Sequence, residues 1–435
     1  MKISTINRNI LRLALPSIMA NITVPLVGIV DLAIAGHLGD AASIGGIAIG
    51  SMLFDLLYWN MGFLRVGTGG ITAQAYGRKD FKEAMDTFTR GIATALAVAL
   101  LIWLIQWIYI EAAFALVVCS PEVESIAREY FFIRVWAAPA TLSLMVFKGW
   151  FIGMQNTVLP MAVDITVNVV NVVVSYVLAV HTPMGVAGVA AGTVVAQYSG
   201  LLLAIALMYY NFRKYFHLIS VRASIKLNKM KQFFSINGNL FIRSLCMLVI
   251  YIGFTSIAAR YGDTLLAVSS VMMKLLLLYS YFVDGFAYAG EALVGRFIGE
   301  RNSDYLISTV RWIFIWCFGI SLLSTLIYAG LGKPMFQLMT DNPEVVEASA
   351  PFLFWLLLMP VVSCIAFTWD GIFIGATATN HLRNSMIWSA ALFIISYMAF
   401  EPLLGIQSLY LAYFVHLLVR SLYLTIVRKS ALTIK

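Results

Sequence analysis

The dominant pattern in this chain is a series of apolar runs that are about as long as a membrane is thick. Residues 91–110 contain no charged side chain, and neither do residues 312–332. A helix of about 20 residues crosses a hydrocarbon core of about 30 Å, and in lipid every backbone amide must be hydrogen-bonded within its own segment. The pattern therefore predicts membrane-spanning helices and excludes short strands. The predicted fold class is an all-α polytopic membrane protein.

Twelve such segments can be placed along the chain. They cover residues 10–36, 44–72, 86–112, 124–152, 158–182, 186–211, 236–260, 264–294, 306–332, 346–374, 384–402 and 406–427. Lys and Arg are frequent at both ends of the chain and in every second connection, and they are rare in the other connections. Because cytoplasmic connections carry the excess of Lys and Arg, both termini are predicted to be cytoplasmic and the number of helices to be even.

The chain divides into two sequence-related halves. The segment FLRVGTGGITAQAYGR at 63–78 is matched by GFAYAGEALVGRFIGE at 285–300, and at the same offset GWFIG at 149–153 meets GIFIG at 371–375. A polar, basic stretch predicts a cytoplasmic linker at 212–235, between a six-helix lobe at 1–211 and another at 236–435. Repeats with an even number of helices share one orientation, which suits alternating access to a central cavity.

Composition supports the membrane assignment and limits the chemistry. Hydrophobic residues make up 61% of the 435 residues and charged residues 11%, against about 25% charge in soluble domains. The net charge of +8 then reflects the cytoplasmic connections and not a nucleic-acid partner. The motifs G-x-x-x-x-G-K-[ST], H-E-x-x-H and G-x-S-x-G do not occur, so we expect neither direct use of ATP nor an enzyme, and we expect no cofactor.

Ionisable residues inside membrane helices are the first candidates for function, because their insertion costs about 2.5 to 3.5 kcal/mol. Asp31 lies well inside the first predicted helix, together with Pro16 and Pro25. Burial and nearby charges can tune a carboxyl group to bind and release a proton, and proline removes a backbone hydrogen bond so that a helix can bend. We predict a coupling role for Asp31 and a hinge role for the prolines. The alternative for Asp31 is a structural ion pair with a buried arginine.

Small polar side chains form a second group of candidates. Asn168, Asn171 and Ser175 share one face of the fifth predicted helix by their spacing, and Thr193 lies in the sixth. They can belong to the same proton or cation site as Asp31. They can equally be the interhelical hydrogen bonds that membrane bundles commonly contain.

The second half contributes further charged residues. Asp370 lies deep in the tenth predicted helix and is a second coupling candidate, and Asp284 and Glu291 share a face of the eighth. Arg65 and Lys274 are candidate partners of such acids in buried ion pairs. If they instead faced the cavity, anionic substrates would be favoured. The sequence does not assign the pairs.

Several motifs resemble the multidrug and toxic compound extrusion (MATE) family, specifically its DinF-like branch. VDLAIAGHLG, TGGITAQAYG, DGFAYAGEA, and DGIFIGAT with HLRNSM occur in the expected order in both lobes, so that the resemblance covers nearly the whole chain. It implies twelve helices in two pseudo-symmetric six-helix lobes in the bacterial inner membrane. It also implies an antiporter that exports organic, lipophilic or cationic compounds in exchange for H+ or, less expected, Na+. We expect a monomer whose partners are small organic substrates and membrane lipids.

The resemblance also implies roles for individual residues. In DinF-like members the carboxylate that matches Asp31 is the proposed proton-binding residue, and the positions that match Asn171 and Thr193 belong to its polar network. Asp370 matches a carboxylate implicated in cation coupling in other branches. Ser175 stands where the family usually has an Asp, so Asp31 lacks the repulsion of an acidic neighbour. Coupling then rests on Asp31, or it is shared with Asp370.

Two further comparisons with the family bear on the ion and the substrate. No acidic residue lies well inside the seventh predicted helix, where some Na+-coupled relatives have a glutamate, and this favours H+. The alternative function is a flippase for lipid-linked oligosaccharides or other lipids from the same superfamily. Such a flippase is expected to have a strongly cationic cavity.

Overall fold

The computed structural model describes residues 3–37, 41–117, 119–224, 226–340 and 342–433. The side chains of Asp31 and of a few other residues within these ranges lie outside the description. The described residues contain no strand, and they include twelve helical segments that are long and apolar enough to cross a membrane. The predicted all-α fold class with about twelve transmembrane helices is therefore confirmed.

The α-helices of the first half are α1 (Ile3–His37), α2 (Ala41–Trp59), α3 (Phe63–Gly77), α4 (Phe81–Leu116), α5 (Pro121–Arg134), α6 (Ala138–Gly153), α7 (Val158–Val180), α8 (Val186–Phe212) and α9 (Val221–Ser224). Those of the second half are α10 (Leu227–Ala259), α11 (Asp263–Gly299), α12 (Ser303–Met339), α13 (Pro343–Ala348), α14 (Leu353–Gly375), α15 (Thr379–Leu404) and α16 (Gln407–Ala431). Short 3-10 turns occupy Asn60–Gly62, Val135–Ala137, Arg213–Leu218 and Ala350–Phe352.

Some membrane segments predicted as single helices are built from two. Within the described ranges this holds for α2 with α3, α5 with α6, and α13 with α14, each pair being joined by a 3-10 turn. Pro139 closely follows the second of these turns, and Pro351 lies in the third. Proline lacks the backbone N–H that a helix interior uses, and it therefore favours a change of helix geometry. Hydropathy measures only apolar length, so the sequence pattern does not reveal these breaks.

The described residues group into two compact units, which we name the N lobe (Met19–Phe234) and the C lobe (Met1–Ile18 with Ser235–Lys435). Both boundaries fall inside continuous helices, one in α1 and the other in α10. The chain therefore passes from one unit to the other within helices. The lobe limits and the linker drawn from the sequence remain predictions.

The polar stretch between the two halves of the sequence, which includes α9 and the start of α10, contacts α4 through charged and polar groups. Lys229 Nζ lies 2.8 Å from Glu83 Oε2 and 3.1 Å from Asp86 Oδ2 on α4. Ser224 Oγ donates a hydrogen bond to Asp86 Oδ1 at 2.8 Å. Asp86 is fully buried, so these contacts supply the partners that a buried carboxylate requires. The polar stretch that separates the halves in sequence is thus partly anchored on α4.

The internal repeat corresponds to a repeated helix crossing, seen first in the N lobe. A Cβ atom on Gly149 of α6 would collide with the backbone oxygen of Arg65 on α3, and one on Gly153 would lie 2.8 Å from that of Gly69. Real Cβ atoms do not approach a backbone so closely. Glycines four positions apart therefore allow the backbones of α3 and α6 to touch, as small residues do at membrane helix interfaces.

The C lobe contains the same crossing between α11 and α14. A Cβ atom on Gly371 would collide with the backbone of Ala287, and one on Gly375 would lie 2.5 Å from the backbone oxygen of Glu291. These four residues correspond to the four named in the N lobe. Each pair is separated by the same number of positions as 149–153 and 371–375. The matched GWFIG and GIFIG segments are therefore matched packing elements.

The turns after the repeated helices match as well. Lys79 and Arg301, which are related by the same offset, have positive φ angles of 58° and 55°. This region is uncommon for residues other than glycine. Directly afterwards, Asp80 and Asn302 each accept a hydrogen bond from the backbone N–H three positions later, at 3.0 and 3.1 Å. Such N-caps begin the next helix, so the local chain path is duplicated along with the crossing.

Candidate functional site

The predicted polar stripe of the fifth membrane segment lies on α7 and contacts α8. Asn171 Nδ2 donates to Thr193 Oγ1 at 2.9 Å and to Ser175 Oγ at 3.4 Å. Both hydroxyl groups donate in turn to the backbone oxygen of Val189, at 3.2 Å from Thr193 and 3.3 Å from Ser175. All three polar side chains are buried. The structure thus brings Asn171, Ser175 and Thr193 into one cluster, which we name the N-lobe polar cluster.

Two glycines of α8 fix the geometry of this cluster. A Cβ atom on Gly192 would lie 2.6 Å from Cα of Ser175, and one on Gly188 would lie 2.6 Å from the backbone of Leu178. Only glycine permits these approaches, so α7 and α8 meet with their backbones nearly in contact. The short side chains of Ser175 and Thr193 can then reach the same asparagine.

Asn171 has one polar atom that the cluster does not satisfy. Its Oδ1 atom is buried and accepts no hydrogen bond from any group in the described part of the chain. A buried acceptor without a donor costs about 1 to 3 kcal/mol. Such an atom can accept a hydrogen bond from a protonated carboxyl group or from a ligand.

Asn168 connects the same stripe to α1. Its Nδ2 atom donates to Thr23 Oγ1 at 2.7 Å, and Thr23 Oγ1 donates to the backbone oxygen of Ala20 at 2.7 Å. Thr23 lies two positions before Pro25 and eight before Asp31. The backbone of Asp31 belongs to α1, and its side chain lies outside the described residues. The predicted coupling role of Asp31 therefore stays a prediction.

The helix α1 is continuous through both prolines, from Ile3 to His37. Pro16 falls in the part of α1 that belongs to the C lobe, and Pro25 in the part that belongs to the N lobe. Each proline removes one helical hydrogen bond and so lowers the resistance of the helix to bending. Their role as a hinge stays a prediction.

In the C lobe, Asp370 of α14 is the centre of a buried ion-pair cluster. Arg243 of α10 and Arg420 of α16 both donate to its Oδ2 atom. The side chains are 11% exposed for Asp370, 13% for Arg243 and 1% for Arg420. Protonation of Asp370 would leave two guanidinium groups without their shared carboxylate. The carboxylate thus has a structural role between two guanidinium groups, and that role competes with the predicted coupling role of Asp370.

The remaining charged candidates are placed as follows. Glu291 is fully buried on α11, and Asp284 is half-buried on the same helix, close enough to attract the guanidinium of Arg420. Lys274 of α11 is exposed and Arg65 of α3 is half-buried. Whether these four candidates line a cavity or form buried ion pairs stays a prediction.

Sequence reasoning missed several charged partners. Arg420 stands in the apolar run LLVRSLYL, and Asp164, which forms an ion pair with Lys148, stands in MAVDITV. Both could have been identified as candidates from the sequence, because each is an ionisable residue inside a predicted membrane helix. Their partners come from other helices, and only the packed structure reveals them.

The hydrogen bonds of the N-lobe polar cluster can be tested by stability. Replacing Asn171 by alanine should lower the free energy of unfolding by about 1 to 2 kcal/mol, because the hydrogen bonds that join it to Thr193 and Ser175 are lost. Thermal unfolding in detergent measures the effect. The matched control is Thr166→Ala on the same helix, because its hydroxyl donates only to the backbone oxygen of Ala162 within α7. An equal loss in both variants would show that the hydrogen bonds of Asn171 add no more stability than a hydroxyl that bonds within its own helix.

The chain was compared with known protein families and proteins. The MatE family model matches residues 16–177 and 240–400. DNA damage-inducible protein F of Escherichia coli (strain K12) is 34% identical over 416 residues, which cover 95% of this chain and 90% of that protein. Protein DETOXIFICATION 44, chloroplastic, of Arabidopsis thaliana is 23% identical over 437 residues, which cover 96% of this chain and 81% of that protein.

A solved structure with a similar fold is the outward-facing conformation of a multidrug resistance MATE family transporter of the MOP superfamily. It aligns with a TM-score of 0.88 at 18% identity and covers 98% of this chain and 97% of that chain. At 18% identity this similarity shows a shared fold and does not show a shared substrate or mechanism.

Proposed function

Because the chain belongs to the multidrug and toxic compound extrusion (MatE) family, as its motifs indicate, we propose that it is an antiporter that exports lipophilic or cationic organic compounds in exchange for H+. Membership rests on the family match over both halves and on the 34% identity with the Escherichia coli protein. The proposal adds the coupling ion and the substrate class to this membership. It also places the protein in the bacterial inner membrane, with both termini in the cytoplasm, as a monomer.

The observation that carries proton coupling is the N-lobe polar cluster with the unsatisfied oxygen of Asn171. The first and fifth spans run in the same direction through the membrane, and Asn168 joins them at Thr23. Position 31 lies eight positions beyond Thr23, and Ser175 lies seven beyond Asn168, so the two are about 12 and 10 Å past the contact. Asn171 lies three positions beyond Asn168, about 5 Å past the contact, so Asp31 is nearest in level to the Ser175 end of the cluster. This register supports a site in which a protonated Asp31 donates to the cluster from that end.

Two observations favour H+ over Na+. The helix α10, which holds the seventh span, contains no Asp or Glu. The C-lobe carboxylate Asp370 is already bound by two guanidinium groups, which would repel a metal cation. In the first span, Asp31 is the acidic residue that remains as the candidate for proton coupling.

Transport by the purified protein in proteoliposomes tests the coupling ion. Vesicles that contain ethidium are given either a pH gradient at equal Na+ or a Na+ gradient at equal pH. We expect the pH gradient to drive ethidium movement and the Na+ gradient to have no effect beyond that in protein-free vesicles. Movement driven by Na+ alone would refute proton coupling.

The flippase alternative is tested in the same vesicles. A fluorescent phospholipid is placed in both leaflets, and the fraction quenched by external dithionite is measured over time. We expect the protein to leave this fraction unchanged. Rapid quenching of the inner leaflet, without ethidium transport, would favour the lipid flippase.

A further inference from the structure

The helix α2 has a narrow exposed face. The exposed residues are Ala48, Met52, Asp55 and Trp59, with spacings of four, three and four positions. Met52 is 40% exposed and Trp59 is 49% exposed. Because residues at such spacings lie on one side of a helix, a carboxylate stands between a methionine and a tryptophan on a single stripe.

The packing of α2 against α5 fixes which side this is. A Cβ atom on Gly46 would lie 2.8 Å from Cβ of Ile126, and one on Gly50 would lie 2.5 Å from Cδ1 of the Tyr130 ring. The side of α2 that carries these glycines, with Leu53 beside them, is buried in the N lobe. Turning the carboxylate of Asp55 inward would require α2 to leave this close contact. The stripe is therefore held outward by the fold.

Asp55 has no tight partner among the described residues. No hydrogen bond or ion pair joins its carboxylate to any of them, although the guanidinium of Arg134 is close enough to attract it. Arg134 is itself held elsewhere, because it donates to the hydroxyl of Tyr130 at 2.9 Å and lies 4.8 Å from the ring centroid of Phe54. Asp55 is thus an exposed residue whose carboxylate forms no hydrogen bond or ion pair with a described residue.

The position of Asp55 in the membrane excludes lipid as its surroundings. It lies in the candidate span Ala42–Gly77, about 7 Å along the helix from the middle of that span. A charged side chain at such depth almost always faces a protein interior or a water-filled cavity and marks a substrate or ion path. The exposed stripe of α2 therefore faces water.

We propose that Met52, Asp55 and Trp59 form a recognition site for the positive centre of an amphipathic organic cation. The carboxylate of Asp55 attracts the cation, the face of the Trp59 ring binds it by a cation–π contact, and Met52 adapts to the apolar body. This site deepens the proposed function and rests on it, because the ligand is the exported substrate. It is separate from the N-lobe polar cluster, whose members lie on α7 and α8.

The test uses two probes that differ only in charge. One is N,N,N-trimethyl-biphenyl-4-aminium, and the other is 4-tert-butylbiphenyl, in which carbon replaces the charged nitrogen. Binding to the purified full chain in detergent is measured by calorimetry, and export of each probe is measured in proteoliposomes under a pH gradient. The variants are Asp55→Asn, Asp55→Glu and Trp59→Leu, with Glu122→Gln as a control that removes an exposed carboxylate of α5 outside the stripe.

We expect Asp55→Asn to weaken binding of the charged probe about tenfold or more and to leave the neutral probe unchanged. Trp59→Leu should weaken binding of the charged probe about threefold to tenfold. Asp55→Glu and Glu122→Gln should match the wild type. Unchanged binding of the neutral probe separates a lost site from a lost fold, because a misfolded variant would lose both probes.

Three outcomes would overturn the site. If Asp55→Asn binds and exports the charged probe as the wild type does, the recognition role is wrong while the proposed function stands. If Asp55→Asn elutes as a single species in size-exclusion chromatography but loses both probes equally along with the response to pH, Asp55 belongs to proton coupling. If the wild type exports neither probe nor ethidium under a pH gradient, the proposed function fails first and the site fails with it.

Discussion

Replacing Asp31 by asparagine is expected to reduce proton-driven export to the level of protein-free liposomes. Asparagine has nearly the size of aspartate but cannot bind and release a proton, so the coupling reaction of the first span would be lost. The proposal places Asp31 at the level of the N-lobe polar cluster, where the buried oxygen of Asn171 accepts no hydrogen bond from a described group. Export of ethidium from proteoliposomes under an imposed pH gradient measures the effect.

The control for this variant is Asp31→Glu, which keeps a titratable carboxyl group and should retain part of the transport. Elution of both variants as single species in size-exclusion chromatography would show that each is folded. An Asp31→Asn protein that exports at the wild-type rate would remove Asp31 from the coupling mechanism. The remaining candidate acids would then have to be tested in turn.

Replacing Asp370 by asparagine is expected to lower the free energy of unfolding by about 3 to 5 kcal/mol. The carboxylate joins Arg243 and Arg420, and the guanidinium of Arg420 is almost fully buried. Removing the shared negative charge leaves two buried positive charges close together, and this is costly even though a hydrogen-bonding amide remains. Thermal unfolding in detergent, together with the yield of folded protein, measures the loss.

The matched control replaces the whole cluster by apolar residues, as Arg243→Met, Asp370→Leu and Arg420→Met together. Buried ion pairs can often be exchanged for well-packed apolar groups at little cost, so the triple variant should be more stable than Asp370→Asn. An Asp370→Asn protein as stable as the wild type, with transport that no longer responds to pH, would identify Asp370 as a coupling carboxylate and not as the centre of an ion-pair cluster.

The repeat shows how far a sequence can predict a fold of this kind. The offset between GWFIG at 149–153 and GIFIG at 371–375 was visible in the sequence, and it corresponds to the same glycine-mediated crossing in both lobes. Glycine spacing is a local property, and the helix face that it opens follows from helical geometry alone. The sequence did not reveal which helix would fill that face, because α3 meets α6 and α11 meets α14, and neither pair is consecutive in the chain.

The polar stripe of α7 was equally readable, since Asn168, Asn171 and Ser175 share one face by spacing. The spacing did not show which neighbouring helix each of these side chains contacts. Asn171 and Ser175 face α8, whereas Asn168 reaches α1 through Thr23. Neighbouring helices decide which of two adjacent surfaces each side chain meets, and helical spacing contains no information about those neighbours.

Asp55 shows what the sequence does not reveal about a charged residue in a membrane segment. The residue stands in MLFDLLYW within a predicted membrane helix, so the rule that marked Asp31 applied to it as well. Its significance depends on being exposed and without a tight partner among the described residues. Burial of the glycine side of α2 against α5 produces the exposure, and the contacts of Arg134 with Tyr130 and Phe54 hold the nearby guanidinium elsewhere. A sequence can show that a charge is present in a membrane segment, but the direction of its side chain is set by packing.

Hydropathy, residue spacing and similarity were enough to establish the membrane class, the number of spans, the duplication and the polar residues within the spans. All of these are properties of short stretches of chain, so they can be read without knowing which helices are neighbours. Packing in three dimensions was needed to place Asp370 between Arg243 and Arg420, to join Asp86 to Lys229, and to direct Asp55 outward. These contacts bring together charges and surfaces from distant parts of the chain, and electrostatic and packing energies act between groups that are close in space.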